Sequence, residues 1–256
     1  MAKLTRQQFI TALLPTVLFI RREGSPIFPS VRLAQAILET GGVIHSWFNL
    51  GGIKVGTGVA NAYWQGQAVV KGTWEHIDGR NVDMKAAFRA YSSVYHYWKD
   101  QDLLFARSRY DRVRLAQTPE AQAQMLYACG YATDPAYAKK LNTIMIQSAL
   151  KPYDRMSGLP APGGIFQGTR EVAILQEGLV TATGYYLGGS VWVAARSLGE
   201  ALGGVIDWNG TEVIVNGIPL ETQLVGATGY VRVRDLAARL NKNAVWEEAT
   251  RTVTLL

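Results

Sequence analysis

A short stretch around residue 35 constrains the fold most, because it predicts a buried helix whose last turn carries one carboxylate. Ser30 is a residue type that caps helices, and Gly41 and Gly42 readily enter the left-handed conformation that ends them. A helix that is apolar on nearly every side is buried. The apolar positions between the two ends are Val31, Leu33, Ala34, Ala36, Ile37 and Leu38. The sequence therefore predicts a domain packed around this helix, with Glu39 near its end.

Two interpretations of Glu39 are open at this point. A carboxylate in the last turn of a buried helix loses solvation, so its pKa rises, and a raised pKa suits a general acid near neutral pH. Alternatively, Glu39 is an ordinary surface residue at a frayed helix end. Spacing alone favours this second interpretation, because perturbed carboxylates are a minority.

Charge divides the 256-residue chain into two unequal parts. Residues 1–158 contain 19 Lys and Arg against 11 Asp and Glu, a balance of +8, whereas residues 159–256 contain 7 against 9, a balance of −2. This asymmetry indicates two domains, the first with an anionic partner. Nucleic acid, acidic membrane and cell wall all fit a basic domain. We do not expect nucleic acid, because the basic run from Arg107 to Arg114 matches no nucleic-acid-binding motif.

The sequence indicates neither a metal nor another cofactor. Its one cysteine and three widely separated histidines lack the spacing of a zinc motif. The apolar run at 12–20 is too short to span a bilayer, and Arg21 and Arg22 follow it in place of a cleavage site. We therefore expect no membrane span and no signal peptide in this chain.

Four motifs follow one another in the first 151 residues. They are AQAILETG at 34–41, NLGGIK at 49–54, the pair TWEHIDG at 73–79 and FRAY at 88–91, and GYATDPAYAKKL at 130–141. This set resembles glycoside hydrolase family 73, the bacterial endo-β-N-acetylglucosaminidases that cut peptidoglycan with a lysozyme-like helical fold. The last motif is the most specific. Gly51 departs from the family pattern, which usually has Phe there, and this departure predicts a looser pocket wall.

The resemblance implies which residues form the active site. Glu39 is then the general acid, Glu75 the second carboxylate, and Tyr131 the residue that orients the acetamido group or the attacking water. A glycosidase needs two carboxylates because one protonates the leaving oxygen while the other activates water or stabilises positive charge. The substrate's own N-acetyl group is an alternative nucleophile that would make Glu75 less essential. The positions implied to bind substrate are Gln35, Asn49, Tyr91, Thr133 and Tyr137. Asn49 equally fits a second role, capping a turn.

Local signals predict the elements around these motifs. Residues 4–22 are expected to form the first helix, and the Asp78-Gly79 turn predicts a hairpin over 69–91. The region 92–154 has a helical pattern. One helix is expected to begin at Thr118-Pro119-Glu120, and another at 133–135 with Pro135 in its first turn.

The rest of the chain is predicted to be a linker, 157–168, followed by a repeat with a period of 38 residues. Trp192 aligns with Tyr230, Leu202 with Leu240, and Trp208 with Trp246. Each copy predicts a strand, a short helix capped by Ser197 or Asp235, and a strand. The pattern resembles the copper-amine-oxidase N-terminal-like stalk domain of secreted Gram-positive proteins. Copper is not expected, because residues 159–256 contain no His and no Cys. Wall anchoring is one expected role, and a passive spacer or a dimer contact is the other.

We therefore predict an α+β protein with a mainly α-helical lysozyme-like catalytic domain at 1–156, which carries a small β-hairpin lobe, and a two-repeat α+β domain at 169–256. The predicted activity is hydrolysis of the β-1,4 bond after N-acetylglucosamine in bacterial peptidoglycan. The expected partners are glycan strands and anionic wall polymers. The protein is expected to act at the cell wall, either after removal of a signal or after release from the cytoplasm as a phage endolysin. The alternatives are a muramidase or lytic transglycosylase on the same fold, and a non-catalytic wall-binding protein.

Overall fold

The computed structural model describes residues 3–77, 80–156 and 162–256, and along 73–77 and 80–84 only the backbone. Contacts within the chain divide it into two compact units, Met1–Ser157 and Gly158–Leu256. The first unit is mainly helical and the second combines strands with short helices, so the predicted mixed α+β class is confirmed. In these described ranges, no helix has both the length and the apolar character needed to cross a membrane.

The first unit contains a set of α-helices and two short 3₁₀ helices in its described part. They are α1 (Arg6–Arg22), α2 (Pro29–Thr40), α3 (Val94–Phe105), α4 (Asp111–Arg114), α5 (Pro119–Ala128) and α6 (Tyr137–Gln147), with 3₁₀ helices at Ser108–Tyr110 and Lys151–Arg155. Thr118 caps α5 as predicted. Helix α6 begins later than predicted. Asp134 instead accepts hydrogen bonds from the backbone N–H groups of Ala136 and Tyr137, which forms a turn before the helix.

Helix α2 is the buried centre of this unit, because every residue from Pro29 to Ile37 is buried. The prediction that Ser30 caps it is wrong. Ser30 lies inside the first turn, where its hydroxyl donates to Asp154 at 2.7 Å. Pro29 at the first helical position marks the start instead, since its fixed φ suits that position. Gly41 ends the helix in the left-handed conformation at φ 61°, as predicted.

The predicted hairpin is present as strands β1 (Ala68–Ile77) and β2 (Arg80–Arg89), which pair in antiparallel register. Its turn residues, Asp78 and Gly79, lie outside the described residues. The loop that follows α2 adds to the outer end of β2. Arg89 donates its backbone N–H to the carbonyl of Ile53 at 2.9 Å. The segment that carries the NLGGIK motif is therefore fixed against the hairpin.

The second unit is built from short strands and two seven-residue helices over its described residues. The elements are β3 (Arg170–Gln176), β4 (Leu179–Leu187), β5 (Ser190–Ala194), α7 (Ala195–Ala201), β6 (Ile206–Trp208), β7 (Val213–Val215), β8 (Ile218–Leu220), β9 (Gln223–Val225), β10 (Thr228–Arg232), α8 (Val233–Arg239), β11 (Ala244–Glu247) and β12 (Thr252–Leu255). Seven strands form one sheet in the order β11-β12-β3-β4-β5-β10-β9, and β6-β7-β8 form another. The β12–β3 pair is parallel.

The 38-residue repeat appears in this unit as two copies of strand, helix and hairpin. Strands β5 and β10 pair antiparallel with Val193 opposite Val231, which is its own aligned position 38 residues later. The two copies are therefore related by a local twofold axis at this pair. The predicted caps are wrong, because Ser197 and Asp235 lie inside α7 and α8. The copies also differ: β6–β7 pair with β8, whereas β11–β12 join β3.

Part of the predicted linker belongs to the core of the second unit. A 3₁₀ helix spans Gly164–Phe166, and Phe166 is fully buried against Trp192 and Tyr230. Its ring centroid lies 4.7 Å from that of Tyr230. The predicted domain start at residue 169 is therefore too late, because composition identified the Gly and Pro residues but not the buried aromatic ring among them.

Candidate active site

Glu39 lies in the last turn of α2, and its environment favours the protonated acid. The residue is exposed at the surface. Protein atoms nevertheless crowd its carboxyl group, and this desolvation raises its pKa above the ordinary value. The Tyr137 hydroxyl donates to its Oε1 at 3.0 Å and acts in the opposite direction, because that hydrogen bond favours the carboxylate. Desolvation is the larger effect, so the interpretation of Glu39 as a perturbed carboxyl fits the geometry.

A short hydrogen-bond chain fixes the direction in which Tyr137 donates. The Gln35 side chain, only 1% exposed, donates its Nε2 hydrogen to the Tyr137 hydroxyl oxygen at 3.1 Å. That oxygen therefore acts as an acceptor towards Gln35, and its proton points to Glu39. Burial raises the pKa of Tyr137, so the phenol keeps its proton. Of the predicted substrate-binding residues, Tyr137 thus supports the carboxyl group of Glu39 directly, and Gln35 supports it through Tyr137.

A second chain of buried polar groups holds Tyr131. The guanidinium of Arg32 donates to Gln101 Oε1 at 2.8 Å, and Arg32 has no acceptor atom. The Gln101 amide is therefore oriented with its Nε2 towards the phenols, where it donates to the hydroxyls of Tyr97 and Tyr131 at 3.1 Å each. Arg32 is held in turn by an ion pair with Asp102. This chain sets the direction in which the Tyr131 hydroxyl can donate.

The proton of the Tyr131 hydroxyl faces only a weak acceptor among the described groups. Its acceptor is the Gly51 carbonyl oxygen at 3.4 Å, which is long for an O–H donor. Burial, and after it the negative charge of nearby Glu39, raises the pKa of Tyr131. The Tyr131 ring lies 6.2 Å from that of Tyr137, between centroids. Glu39 therefore has two neutral phenols on its side of the unit, each with its oxygen accepting from a buried amide.

Gly51 does not open a pocket wall, contrary to the prediction. A Cβ at this position would lie 2.3 Å from the hydroxyl oxygen of Tyr97 and 2.9 Å from that of Tyr131. The two hydroxyls therefore occupy the space next to the backbone that any side chain at position 51 would enter. The departure from the family pattern makes room for the Tyr97–Gln101–Tyr131 cluster.

Asn49 and Tyr91 belong to a neighbouring buried network. The Asn49 amide donates to the carbonyls of Ile53 and Arg89 at 2.8 and 2.9 Å, so it holds the turn and joins it to the hairpin. The Tyr91 hydroxyl donates to Asp100 at 2.7 Å, and Asp100 also pairs with Arg89 at 2.8 Å. These side chains use their hydrogen bonds inside the protein. For Asn49 this geometry matches the turn-capping alternative.

The remaining predicted residues are less constrained by the structure. Thr133 is exposed in the turn before α6. Glu75 lies on β1 opposite Val82, and its side chain lies outside the described residues. Its role and that of Thr133 stay predictions. In the ranges that the structure describes, no group of three or more His, Cys, Asp or Glu side chains is arranged to hold a metal ion.

Sequence reasoning missed two of the residues that support the site, Arg32 and Gln101, and the buried position of Gln35. It described α2 as apolar on nearly every side, yet Arg32 and Gln35 are buried in it. A signal was present, because Arg32, Gln35 and Glu39 are spaced i, i+3 and i+7 and so share one face of the helix. Gln101 had a weaker signal, its i+4 spacing from Tyr97 on α3.

The described groups define a class of protein. A carboxyl group whose pKa is raised by desolvation can act as the acid that donates a proton to a leaving oxygen. The neutral phenols beside it can orient polar groups of a ligand without adding charge. A mainly helical unit that carries such an acid at a helix end and also contains a β-hairpin is the arrangement expected of a lysozyme-like glycoside hydrolase.

Comparison with known proteins gives the family. Residues 21–150 match the glucosaminidase family, described as mannosyl-glycoprotein endo-beta-N-acetylglucosaminidase. The match covers half of the chain, and all four motifs fall inside it. The chain belongs to this glucosaminidase family, and the predicted class of glycoside hydrolase is confirmed.

Curated relatives agree with this membership. The peptidoglycan hydrolase FlgJ of Escherichia coli K12 is 36% identical over 158 residues, which are 56% of this chain and 46% of that protein. The exo-glucosaminidase LytG of Bacillus subtilis is 31% identical over 141 residues, 51% of this chain and 48% of that protein. The chain thus spans about half the length of these relatives.

A solved structure shows a related fold. A structure of an N-acetylmuramoyl-L-alanine amidase from Staphylococcus aureus superposes with a TM-score of 0.50 at 30% identity, over 58% of this chain and 43% of that one. The predicted lysozyme-like glucosaminidase fold is confirmed. The likeness to a copper-amine-oxidase N-terminal-like domain in the second unit stays a prediction.

Proposed function

We propose that this protein hydrolyses the β-1,4 bond after N-acetylglucosamine in peptidoglycan, at the bacterial cell wall. The observation that carries the proposal is the state of Glu39: a carboxyl at the end of a buried helix, with a pKa raised by desolvation, inside the region that matches the glucosaminidase family. The peptidoglycan hydrolases among its relatives support this choice of substrate.

In the proposed reaction Glu39 gives its proton to the bridging oxygen as the bond between that oxygen and the sugar C1 breaks. The leaving sugar departs with a neutral hydroxyl, and positive charge develops on C1 and the ring oxygen. Water then adds to C1 and loses a proton to a base. Glu75 is the proposed second carboxylate, which either activates this water or stabilises the positive charge. The acetamido oxygen of the substrate is the alternative nucleophile.

The phenols have distinct proposed roles. Tyr137 holds the Glu39 carboxyl in one orientation through its 3.0 Å hydrogen bond. The Tyr131 hydroxyl donates only one long hydrogen bond, to the Gly51 carbonyl oxygen at 3.4 Å, so it can instead donate to a substrate acetamido group or to the attacking water. Gln35 and Gln101 set the direction of both donations. The role proposed for Thr133 is a contact with substrate from the exposed turn.

The charge of the first unit supports an anionic wall as the place of action. Residues 1–158 carry a balance of +8, so they attract anionic wall polymers over a distance set by the ionic strength. Raising the salt from low to physiological concentration should therefore weaken binding to such walls. Binding of the protein to an uncharged wall polymer should show little dependence on salt.

Analysis of digestion products tests the proposed bond. Purified peptidoglycan is digested with the protein, the products are reduced with borohydride, and the new chain ends are identified by mass spectrometry. Reduced N-acetylglucosamine ends are expected, and Glu39→Gln should abolish them. Glu120→Gln is the matched control, because Glu120 is a partly exposed carboxylate that pairs with Lys151. It should leave the products unchanged.

Other products would change the assignment in defined ways. Reduced N-acetylmuramic acid ends would show a muramidase, and anhydro ends a lytic transglycosylase, on the same fold. Absence of new ends from both the parent protein and Glu39→Gln would point to a wall-binding protein. Equal activity of the parent and Glu39→Gln would remove Glu39 from its proposed role.

A further inference from the structure

The second unit contains a pocket of about 400 Å³ that the proposed reaction does not use. Its lining includes two aromatic rings, Tyr186 and Trp246, and two arginines, Arg232 and Arg234. It also includes one carboxylate, Asp235, which faces Arg232 at 3.8 Å. Five strands, β4, β5, β10, β11 and β12, and the start of α8 contribute to it. A concave site with flat apolar surfaces and a few placed polar groups is the usual form of a small-ligand site.

The two rings form an ordered aromatic wall. Their centroids lie 5.9 Å apart and their planes are 29° from parallel. Tyr186 is on β4 and Trp246 on β11, strands separated in the sheet by β12 and β3. The Trp246 Nε1 donates to Glu248 at 2.6 Å, which fixes the indole. Tyr186 is 45% exposed, so its ring offers open surface to a ligand.

The two arginines differ in how they are paired. Arg232 forms an ion pair with Glu221 at 2.9 Å. No carboxylate in the described part of the chain pairs with the exposed Arg234. Comparison of the two copies of the repeat shows which carboxylate Arg234 lacks. In the first copy the aligned Arg196 faces Glu200 at 3.9 Å, four residues on, whereas Ala238 stands at the position aligned with Glu200.

The floor of the pocket is apolar. Val191, Val233 and Val253 line it, and the last two are 2% and 4% exposed. A flat aromatic wall matches the apolar face of a sugar ring, and a valine floor matches a methyl group. An unpaired guanidinium matches a carboxylate, which it can bind through two parallel hydrogen bonds.

We propose that this pocket binds an N-acetylated amino sugar that carries a carboxylate. The sugar ring lies against Tyr186 and Trp246, the acetamido methyl faces the valines, and the carboxylate pairs with Arg234. This inference rests on the proposed function, because peptidoglycan is a polymer of N-acetylated amino sugars whose peptide substituents carry carboxylates. The pocket is then a second binding site for the same polymer, apart from Glu39.

Co-sedimentation with purified insoluble peptidoglycan tests the proposal. All proteins are full-length and carry Glu39→Gln, so that the polymer is not digested. Tyr186→Ala and Arg234→Gln should each weaken binding about tenfold, since each removes one principal contact. The controls are Arg196→Gln, at the position aligned with Arg234, and Trp208→Ala, an exposed aromatic residue of the first copy that does not line the pocket; both should bind like the parent. Binding of the Arg234→Gln variant should also depend less steeply on salt than binding of the Arg196→Gln variant, while the part of the salt dependence that comes from the first unit remains.

Competition by soluble ligands identifies the class of ligand that the pocket binds. Muropeptides with a free carboxylate should displace the parent from the polymer at lower concentration than neutral N-acetylglucosamine oligomers, and this difference should vanish in Arg234→Gln. Equal binding by all four variants, or equal competition by both ligands, would overturn the proposal. Hydrolysis by the protein with native Glu39 is measured separately. Activity with no binding difference overturns the pocket alone, whereas a binding difference with no activity overturns the proposed reaction and leaves the pocket supported.

Discussion

Gly51→Ala tests whether close packing of two tyrosine hydroxyls shapes the site. The new Cβ would lie 2.3 Å from the Tyr97 hydroxyl oxygen and 2.9 Å from that of Tyr131. Ordinary contact begins at about 3.4 Å, so the Tyr97 oxygen has to move by about 1 Å. That movement breaks or lengthens the 3.1 Å hydrogen bond from Gln101.

The expected cost follows from these contacts. Overpacking a well-packed interior costs about 1–3 kcal/mol, and a lost buried hydrogen bond adds about 1 kcal/mol. The sum is about 2–4 kcal/mol, which for a protein of this size lowers the Tm of the affected unit by roughly 5–15 °C. If Tyr131 shifts by a similar distance, activity should fall by about a hundredfold, because misplacement of about 1 Å has that effect on catalysis.

Calorimetry and the peptidoglycan digest measure the two effects. Gly72→Ala is the matched control, because a Cβ added at position 72 would meet no atom within 4 Å, so the stability of the protein should hardly change. Adding Tyr97→Phe to Gly51→Ala removes the nearest oxygen and leaves a ring carbon at 3.4 Å, so part of the stability should return. The reasoning is refuted if Gly51→Ala melts and hydrolyses like the parent, or if Tyr97→Phe restores nothing.

Three further predictions concern the groups around this cluster and the second unit. Tyr137→Phe removes the hydrogen bond that lowers the pKa of Glu39, so that pKa should rise further; because the acid must be protonated, the alkaline limb of the kcat/KM profile should move to higher pH, and an unmoved limb would contradict the assignment. Gln101→Leu should lower kcat about tenfold with a smaller change in KM, since Tyr131 loses the donor that orients it; steady-state kinetics on soluble fragments would show this, and a change in KM alone would argue against it. Phe166→Ala should destabilise the second unit by about 3–5 kcal/mol in urea unfolding, and unchanged unfolding would show that the ring is not part of its core.

The sequence predicted the elements whose signals are local. Gly41 ends α2 and Thr118 caps α5 because the deciding contacts lie within a few residues. The cap assigned to Ser30 was wrong because its actual partner, Asp154, lies far along the chain. Ser197 was misassigned for a related reason: strand β5 runs directly into α7 and leaves no free turn for a cap.

The candidate acid could be proposed from the sequence, but the residues that support it could not. The motif points to Glu39, whose role stays a prediction, and desolvation by neighbouring atoms raises the pKa of that residue. The motif did not reveal the chain from Arg32 through Gln101 to Tyr131, since its members come from α2, from α3 and from the loop after α5, which meet only in the folded unit. Gly51 was misinterpreted because a sequence shows that a side chain is missing but not what fills the space.

The parallel pairing of β12 with β3 has a consequence for synthesis. Val253 lies opposite Ile174, so the last strand of the second unit completes the sheet against the first. As the chain leaves the ribosome, β3 can pair with β4 directly, but its other edge has no partner until β12, near the end of the unit, has been made. That open edge is exposed to other chains during the interval. The helices of the first unit present no such edge, because their backbone hydrogen bonds form within each helix, so we expect aggregation of nascent protein to begin in the second unit.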